Sequence, residues 1–398
     1  MPYASRSRQP FTAVVAALVL TSGFGCGGGD EETFVGVNGD NSMLPGADGG
    51  TGSGNDSPNS AGLAVLGNGT HAPDAVVLTR VGSSADGLNN PRDVAVNPAA
   101  PEQVWVINHN DHSATIFLDA ATPQQTSMKR NGPGSSHFMS KPAAIAFGAP
   151  GILATAQEED APTQPTTPAD FMGPTMFSAD LAIFDGGHAS HLDMLHNSPN
   201  SVGIEWDHNN VYWVFDGLHA SVTRYDFQKD HGLAGEDHSD GIVARYVEGQ
   251  VGYVPGVGSH LALDHGTGRL YVADSGNNRI AVLDTNSGTR GANIAPNYDG
   301  SDQYSMEGAS FTTLVDGAAV GLVRPSGIVL VGDTLFVTDH GATRIVAFDR
   351  SGAILDWLGV ESVVQAGGLM GIDAAPDGSL YVVDATGNAL IRVSAKAP

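Results

Sequence analysis

The stretch GRLYVADSGNNRIAVLD, residues 268–284, decides the fold, because TLFVTDHGATRIVAFD at residues 334–349 repeats its pattern. Each copy opens with alternating aromatic and β-branched residues, passes through an aspartate and a polar turn, and ends in a second apolar run. Alternation with a period of two predicts a β-strand, and two such runs around a turn predict a hairpin. The opening recurs as VYWVFD at 211–216 and LYVVD at 380–384. A hairpin that recurs along a chain indicates a repeat architecture.

Another short strand, opened by a small or polar residue, precedes each hairpin. The six strands begin at Asp93, Ala144, Gly203, His260, Gly327 and Gly371. Their starts are 51, 59, 57, 67 and 44 residues apart, whereas a four-stranded propeller blade needs about 40–45 residues. The sequence therefore predicts six blades, most of which carry loop insertions.

The two ends of the repeat region predict how the ring closes. The last repeat stops after residues 390–393, one strand short of a blade, and residues 74–81 supply an extra alternating strand before the first repeat. An open ring would leave two sheet edges unpaired, so we expect the early strand to complete the last blade. The predicted fold class is all-β: a six-bladed β-propeller over residues 63–398, closed by an N-terminal strand.

The motif RPSGI at 324–328, with VTD at 337–339 and RIVAFD at 344–349, resembles the NHL repeat, and the resemblance extends over about residues 80–398. Propellers with NHL-like blades include bare interaction scaffolds, lactone hydrolases that use calcium in the channel, and a zinc lyase with three channel histidines that cleaves peptidyl-α-hydroxyglycine. The resemblance implies the scaffold and leaves these three functions open, because one fold serves many functions.

The N-terminal residues predict export and a lipid anchor. Residues 1–25 contain two arginines, an apolar run at 11–20 and small residues, which is the pattern of a signal peptide. The next residue is Cys26, the only cysteine in the chain. The residues before it resemble a bacterial lipobox, with Gly23 where leucine is usual. Residues 26–62 are rich in Gly, Asp, Asn and Ser and predict a flexible tether. We expect an envelope protein held to a membrane by the lipid on Cys26.

The charge balance argues against a nucleic-acid partner. The chain has 18 Lys plus Arg against 43 Asp plus Glu, for a formal net charge of −25. A protein of this charge lacks the basic surface that binds phosphate backbones. The expected partners are therefore the membrane, through the lipid, and a small molecule or protein at the mouth of the propeller channel.

Histidine is the residue type that suggests a metal site, with 14 in a chain that has four lysines. His260 opens the inner strand of blade four, and His137 and His196 each stand seven residues ahead of the equivalent position in blades two and three. Loops that enter consecutive blades meet at one end of the ring, so the three imidazoles are predicted to share a divalent metal. Imidazole suits zinc or copper better than calcium. The alternative is that these are ordinary loop histidines.

The neighbours of these histidines refine the prediction. Met139 and Met194 stand beside His137 and His196, and thioether ligands would favour copper. The odd spacing of His191 and His196 puts the two side chains on opposite faces of a strand. Residues 230–240, a polar insertion with two histidines, are either a metal or calcium loop or a solvated loop.

In four of the six repeats an aspartate follows the second strand and is predicted to be structural. These are Asp216, Asp274, Asp339 and Asp384. A carboxylate at the end of a strand can accept hydrogen bonds from the N–H groups of the following turn. The repeated aspartates therefore predict a turn brace rather than a ligand site.

The sequence favours a binding or scaffold propeller with a divalent metal at the channel mouth. The alternative is a metal-dependent lyase or hydrolase, similar to the peptidyl-hydroxyglycine lyase or the lactonases, that acts on a small exported substrate. The chain contains no GxSxG, HExxH or P-loop motif, which argues against the commonest hydrolase and nucleotide-binding functions.

The anchor leads to the first prediction. Cys26→Ala should move the protein from the membrane to the soluble exported fraction, because several acyl chains hold a lipoprotein firmly whereas a protein without them has no such anchor. Cell fractionation measures the shift, and mass spectrometry of the wild-type N-terminus measures acylation. A wild-type protein without acyl mass would contradict the prediction.

Overall fold

The structure is a computed structural model that describes residues 62–130, 135–184 and 191–397. The predicted signal peptide, Cys26 and all but the last residue of the predicted tether lie outside the described residues. Within the described ranges, none of the helices is long and apolar enough to cross a membrane.

Six small sheets follow one another along the chain. Blades one and two are β2 (Pro91–Val96), β3 (Val104–Asn108), β4 (Ser113–Leu118) and β5 (Thr126–Arg130), then β6 (Pro142–Phe147), β7 (Ile152–Gln157), β8 (Thr175–Ser178) and β9 (His191–Met194). Blade three contains β10 (Ser201–His208), β11 (Val211–Asp216), β12 (Ser221–Asp226) and β13 (Ile242–Tyr246).

Blades four to six have the same antiparallel order. Blade four is β14 (Leu261–Asp264), β15 (Arg269–Asp274), β16 (Arg279–Asp284) and β19 (Phe311–Asp316), and blade five is β20 (Pro325–Val331), β21 (Thr334–Asp339), β22 (Arg344–Asp349) and β23 (Ile354–Gly359). Blade six is β24 (Leu369–Ala374), β25 (Leu380–Asp384), β26 (Ala389–Ala395) and β1 (Val76–Gly82). The prediction of a six-bladed β-propeller is confirmed.

Helices are short in the described residues and do not form a layer. The two α-helices are α1 (Ser135–Phe138) and α2 (Gly317–Val320), and the three 3₁₀ turns are Ala64–Leu66, Pro73–Ala75 and Ser84–Asp86. The core is therefore built between sheets.

The first and last strands close the ring, as predicted. β1 pairs antiparallel with β26, with Val76 opposite Ala395 and Leu78 opposite Val393. Val76 and Val81 of β1 are buried against the blade cores. The pairing satisfies the edge of the last blade and joins the two ends of the propeller domain.

Alternating side chains bind each blade to both of its neighbours. In β11, Trp213 and Phe215 pack into a cluster with Leu261 and Leu270 of blade four. Tyr212 and Val214, on the opposite face, pack into a cluster with alanines of blade two. The period of two in the sequence therefore becomes two apolar interfaces for each blade.

The repeated aspartates lie where the strand meets its turn and are completely buried. Asp339 accepts hydrogen bonds from the backbone N–H groups of Val323 and Arg324, in the loop that enters its blade, and of Ala342, in the turn. Asp384 accepts equivalent bonds from the N–H groups of Gln365 and Gly387. Each of these carboxylates joins the entering loop of its blade to the turn. Asp216 and Asp274 make related contacts.

An insertion in blade four adds two strands to blade three. Strands β17 (Thr289–Asn293) and β18 (Asp302–Glu307) lie between β16 and β19 in sequence. β18 pairs in parallel with β13, so the third sheet has six strands. The long spacing after His260 predicted an insertion but not this pairing.

Ring closure leads to the second prediction. Removal of residues 1–62 should leave the melting temperature nearly unchanged, whereas removal of residues 1–82 should lower it and cause aggregation, because β26 would then present an unpaired edge. Thermal melting and light scattering measure the two effects. Identical behaviour of the two truncations would contradict closure by β1.

Candidate metal centre

A cavity of about 450 Å³ lies beside the outer strands of blades two and three. Its lining comes from α1, the β7–β8 loop, β9 and the loop after it, the β12–β13 loop, and the blade-four insertion. The residues that line it are His137, Phe138, Gln164, Phe171, His191, His196, Glu236, Asp237, His238, Tyr298 and Asp299. The cavity is thus built mainly from connections and insertions rather than from the inner strands of the ring.

Three histidines converge beside this cavity. His191 begins β9, the outermost strand of blade two, and His231 and His238 stand at either end of a turn in the β12–β13 loop. Their ligand nitrogens all lie within 4.8 Å of one another. Nitrogens around a tetrahedral zinc are about 3.4 Å apart, so each ring needs to move by less than about 1 Å to share a metal.

The ring positions agree with shared coordination. The ring centroid of His231 lies 4.8 Å from that of His191 and 5.0 Å from that of His238, and the centroids of His191 and His238 are 6.5 Å apart. Imidazoles that share a tetrahedral zinc have ring centroids roughly 5 Å apart, given metal–nitrogen bonds of about 2.0–2.1 Å. His191 also stacks on Phe138, at 3.8 Å between centroids, which fixes its ring plane.

Hydrogen bonds at Nδ1 prepare two of the rings to bind through Nε2. His231 Nδ1 donates to the carbonyl oxygen of Gly232 (2.6 Å), and His238 Nδ1 donates to Asp193 Oδ1 (2.7 Å). The Nε2 of His231 is buried and has no hydrogen-bond partner among the described residues. Metal-binding histidines ordinarily donate their second ring N–H to a carbonyl or carboxylate, so this arrangement fits a metal centre.

Asp193 and His238 each shift the pKa of the other. Burial lowers the pKa of His238, but the hydrogen bond and the charge of Asp193 outweigh it, so this pKa lies above its ordinary value. Burial raises the pKa of Asp193, and the hydrogen bond from His238 opposes that rise. A divalent cation at His238 would take over the role of the proton and keep the carboxylate paired with positive charge.

Two of the three histidines predicted to share a metal lie in this cavity. The rings of His137 and His196 are 5.7 Å apart between centroids, and Phe171 stacks on His196 at 3.5 Å. Asp299, from the blade-four insertion, accepts a bond from His196 Nδ1 (2.6 Å). His137 Nδ1 lies 2.6 Å from Thr163 Oγ1.

The third predicted histidine, His260, has different surroundings. Its Nδ1 lies 3.2 Å from Asp93 Oδ1, on the inner strand of blade one. It is not among the described residues that line the cavity. Among the described residues, the group of three whose ligand atoms lie close enough to share a metal is His191, His231 and His238, and His260 is not a member of it.

The thioether argument for copper does not hold in this geometry. Met139 and Met194 are buried in the apolar core with Trp105 and Phe177, at 1% and 0% exposure, and neither lines the cavity. The donors of the described lining are therefore imidazole nitrogens and carboxylate oxygens.

The sequence did not single out His191, His231 and His238 as one site, because these residues do not occupy equivalent positions in successive blades. His191 belongs to an outer strand, whereas His231 and His238 belong to an insertion, so repeat alignment does not bring them together. The signal that could have found them is the density of histidine itself, with two in the eight residues 231–238.

The inner strands of blades three and six carry two half-buried carboxyl groups of a different kind, Glu205 and Asp373. Burial raises the pKa of Glu205 to about 8, and the charges of Asp373 and Asp93 add to the rise. Burial likewise raises the pKa of Asp373 to about 7, although the N–H groups of Val96 and Ala374 donate to its carboxylate. These inner strands therefore favour protonated carboxyl groups at mild pH.

Comparison with known proteins supports the fold and no more. The chain matches no protein-family model and no curated protein. An auxiliary nutrient-binding protein from Bacteroides thetaiotaomicron VPI-5482 matches with a TM-score of 0.51 and 10% identity, over 77% of this chain and 69% of that chain. One from Bacteroides ovatus ATCC 8483 matches with a TM-score of 0.50 and 11% identity, over 81% and 77%. A luciferin-regenerating enzyme matches with a TM-score of 0.49 and 13% identity, over 80% and 95%.

Glu205 leads to the third prediction. Because its folded pKa is raised to about 8, its contribution to stability is complete at low pH and is lost as pH rises from about 4.5 to about 8. Glu205→Gln should therefore melt at least about 3 °C above the wild type at pH 9 and close to it at pH 4. Melting curves across this range measure the effect. Exposed Glu102→Gln is the matched control, and an equal gap at both pH values would contradict the assignment.

Proposed function

We propose that this chain is an exported metal-binding propeller, whose zinc centre is formed by His191, His231 and His238 and opens into the rim cavity. The observation that supports the proposal most directly is the buried Nε2 of His231, which has no partner among the described residues while its Nδ1 is held by a carbonyl. Three protein ligands leave a fourth position for a ligand or water.

Zinc is the metal that the donors favour. The three ligands are imidazole nitrogens, which suit zinc and copper, whereas calcium takes six to eight oxygen ligands. No thioether lines the cavity in the described residues, so the set has no preference for copper in its reduced state. We therefore expect zinc to bind more tightly than calcium by several orders of magnitude.

The proposed role is to bind a small molecule or a segment of a protein at the metal. A cavity of about 450 Å³ lies within the range of about 300–1,000 Å³ that small-molecule sites occupy. Two propellers of the same fold bear the name auxiliary nutrient-binding protein, and by analogy we propose a small exported ligand. In this proposal the NHL-like blades form the scaffold, and the lipid on Cys26 anchors the protein to a membrane.

The second candidate function is a metal-dependent lyase or hydrolase. It is favoured by the open fourth position, because zinc with three protein ligands activates a bound water in many enzymes. His196, which is hydrogen-bonded to Asp299, is a further imidazole beside the three histidines, at 6.2 Å between the ring centroids of His196 and His238. Turnover of any candidate substrate would favour this function over pure binding.

The metal site leads to the fourth prediction. The purified full chain should bind about one zinc, and His231→Ala or His238→Ala should weaken binding by at least about 100-fold, because loss of a ligand exceeds the 10–100-fold cost of losing its supporting contacts. Competition against a fluorescent chelator measures affinity, and elemental analysis measures stoichiometry. Bound zinc should also raise the melting temperature.

Two variants serve as controls for the metal site. His208→Ala removes a half-exposed histidine that is paired only with Asp207 among the described residues, and it should keep wild-type affinity. His260→Ala tests the trio predicted from sequence and should also keep the metal. Loss of zinc in His260→Ala together with wild-type affinity in His231→Ala would overturn the rim site and return the metal to the channel.

A further inference from the structure

We propose that His196 selects the ligand at the open metal position, and that this ligand carries an N–H or O–H group next to its metal-binding oxygen. The inference rests on the proposed zinc site and names the class of molecule that the site takes: small protic oxygen chelators, such as hydroxamates and α-hydroxycarboxylates.

Asp299 holds His196 at two points. One carboxylate oxygen, Oδ2, accepts a bond from the backbone N–H of His196 (2.8 Å), and the other, Oδ1, accepts from ring Nδ1 (2.6 Å). The side chains of His196 and Asp299 are 3% and 2% exposed. Phe171 covers one face of the imidazole, at 3.5 Å between ring centroids. The backbone of His196, the Nδ1 edge of its ring and one face of its ring are therefore all held in place.

The hydrogen bond to Asp299 determines whether Nε2 of His196 accepts or donates a hydrogen bond. A carboxylate oxygen accepts hydrogen bonds, so Nδ1 carries a proton, and in the neutral ring Nε2 presents a lone pair. The Nε2 atom is buried and has no hydrogen-bond partner among the described residues. A buried acceptor without a partner is costly, and a ligand with an N–H or O–H group removes that cost.

The position of His196 is that of a neighbour of the metal and not of a fourth ligand. Its ring centroid lies 6.2 Å from that of His238, and both residues line the cavity. It does not belong to the group of three whose ligand atoms lie within 4.8 Å of one another. A group at this distance can contact a molecule that is bound to the metal.

The walls of the cavity suit the remainder of such a ligand. Phe171 and the exposed Tyr298 provide aromatic surface, and Tyr298 is held by a hydrogen bond from its hydroxyl to Asp170 Oδ1 (2.5 Å). A protic chelator with a short apolar group would place its oxygens on the metal, its N–H or O–H on His196 and its apolar part on these rings.

The test compares two probes on the zinc-loaded full chain: acetohydroxamic acid and N-methylacetohydroxamic acid. Both chelate zinc through two oxygens, but only the first retains an N–H group. The wild type should bind the first about tenfold more tightly, as expected for one hydrogen bond to a buried acceptor. Calorimetry measures both affinities.

Asp299→Asn separates the hydrogen bond from simple crowding by the methyl group. An asparagine amide can donate to Nδ1, which moves the ring proton to Nε2 and turns the acceptor into a donor, as a carboxylate-to-amide change does in other histidine dyads. The tenfold preference should then disappear while zinc stoichiometry stays at one. Asp237→Asn, an exposed carboxylate that lines the same cavity, is the matched control and should keep the preference.

The outcomes are distinguishable from failure of the metal site itself. Zinc bound at one per chain, with no preference in the wild type or with the same preference in Asp299→Asn, would overturn the role of His196 and leave the zinc site standing. A wild-type chain that binds no zinc would overturn both. Loss of the preference in Asp299→Asn but not in Asp237→Asn supports the inference.

Discussion

The pairing of β1 with β26 is the constraint on which the rest of the structure depends. Each blade packs against its two neighbours, and residues 76–82 tie the first blade to the last because they lie in the sheet formed by residues 369–395. The chain before β1 is anchored as well, because Asp356 of blade five accepts bonds from the N–H groups of Leu63 and Gly69. Closure gives the last blade four strands, as in most of the other blades, and leaves only the short outer edges that every propeller blade has.

A closed ring allows the connections to vary without loss of the core. The cavity is assembled from α1, the β7–β8 loop, the β12–β13 loop and the insertion that carries β17 and β18, which are the parts of the chain that the repeat does not require. The insertion crosses from blade four to pair with β13 of blade three, and in doing so it delivers Asp299 to His196. The candidate site therefore lies where the repeat is broken, consistent with the general concentration of function in loops on rigid scaffolds.

The difference between the repeated strands and the variable connections explains how much of the structure the sequence could predict. The inner strands that begin at Asp93, Ala144 and Gly203 fall within β2, β6 and β10, because period-two alternation is a local property of the chain. Closure was predictable because an unpaired edge is unfavourable wherever it occurs. The rim site was not, because His191 and the histidines of residues 231–238 meet only through the packing of blade two against blade three, and spacing along the chain does not carry that information.

The histidines of the cavity are hard to explain as packing alone. His137, His191, His196, His231 and His238 form one connected set of ring contacts. If all five were protonated, they would repel one another in a partly buried site, and if all were neutral, the buried Nε2 atoms of His196 and His231 would each lack a partner among the described residues. Apolar side chains of similar size would avoid both costs. A divalent cation with a protic ligand removes both the repulsion and the unpaired nitrogens. The metal binds the lone pairs of His191, His231 and His238, and the ligand donates a hydrogen bond to His196.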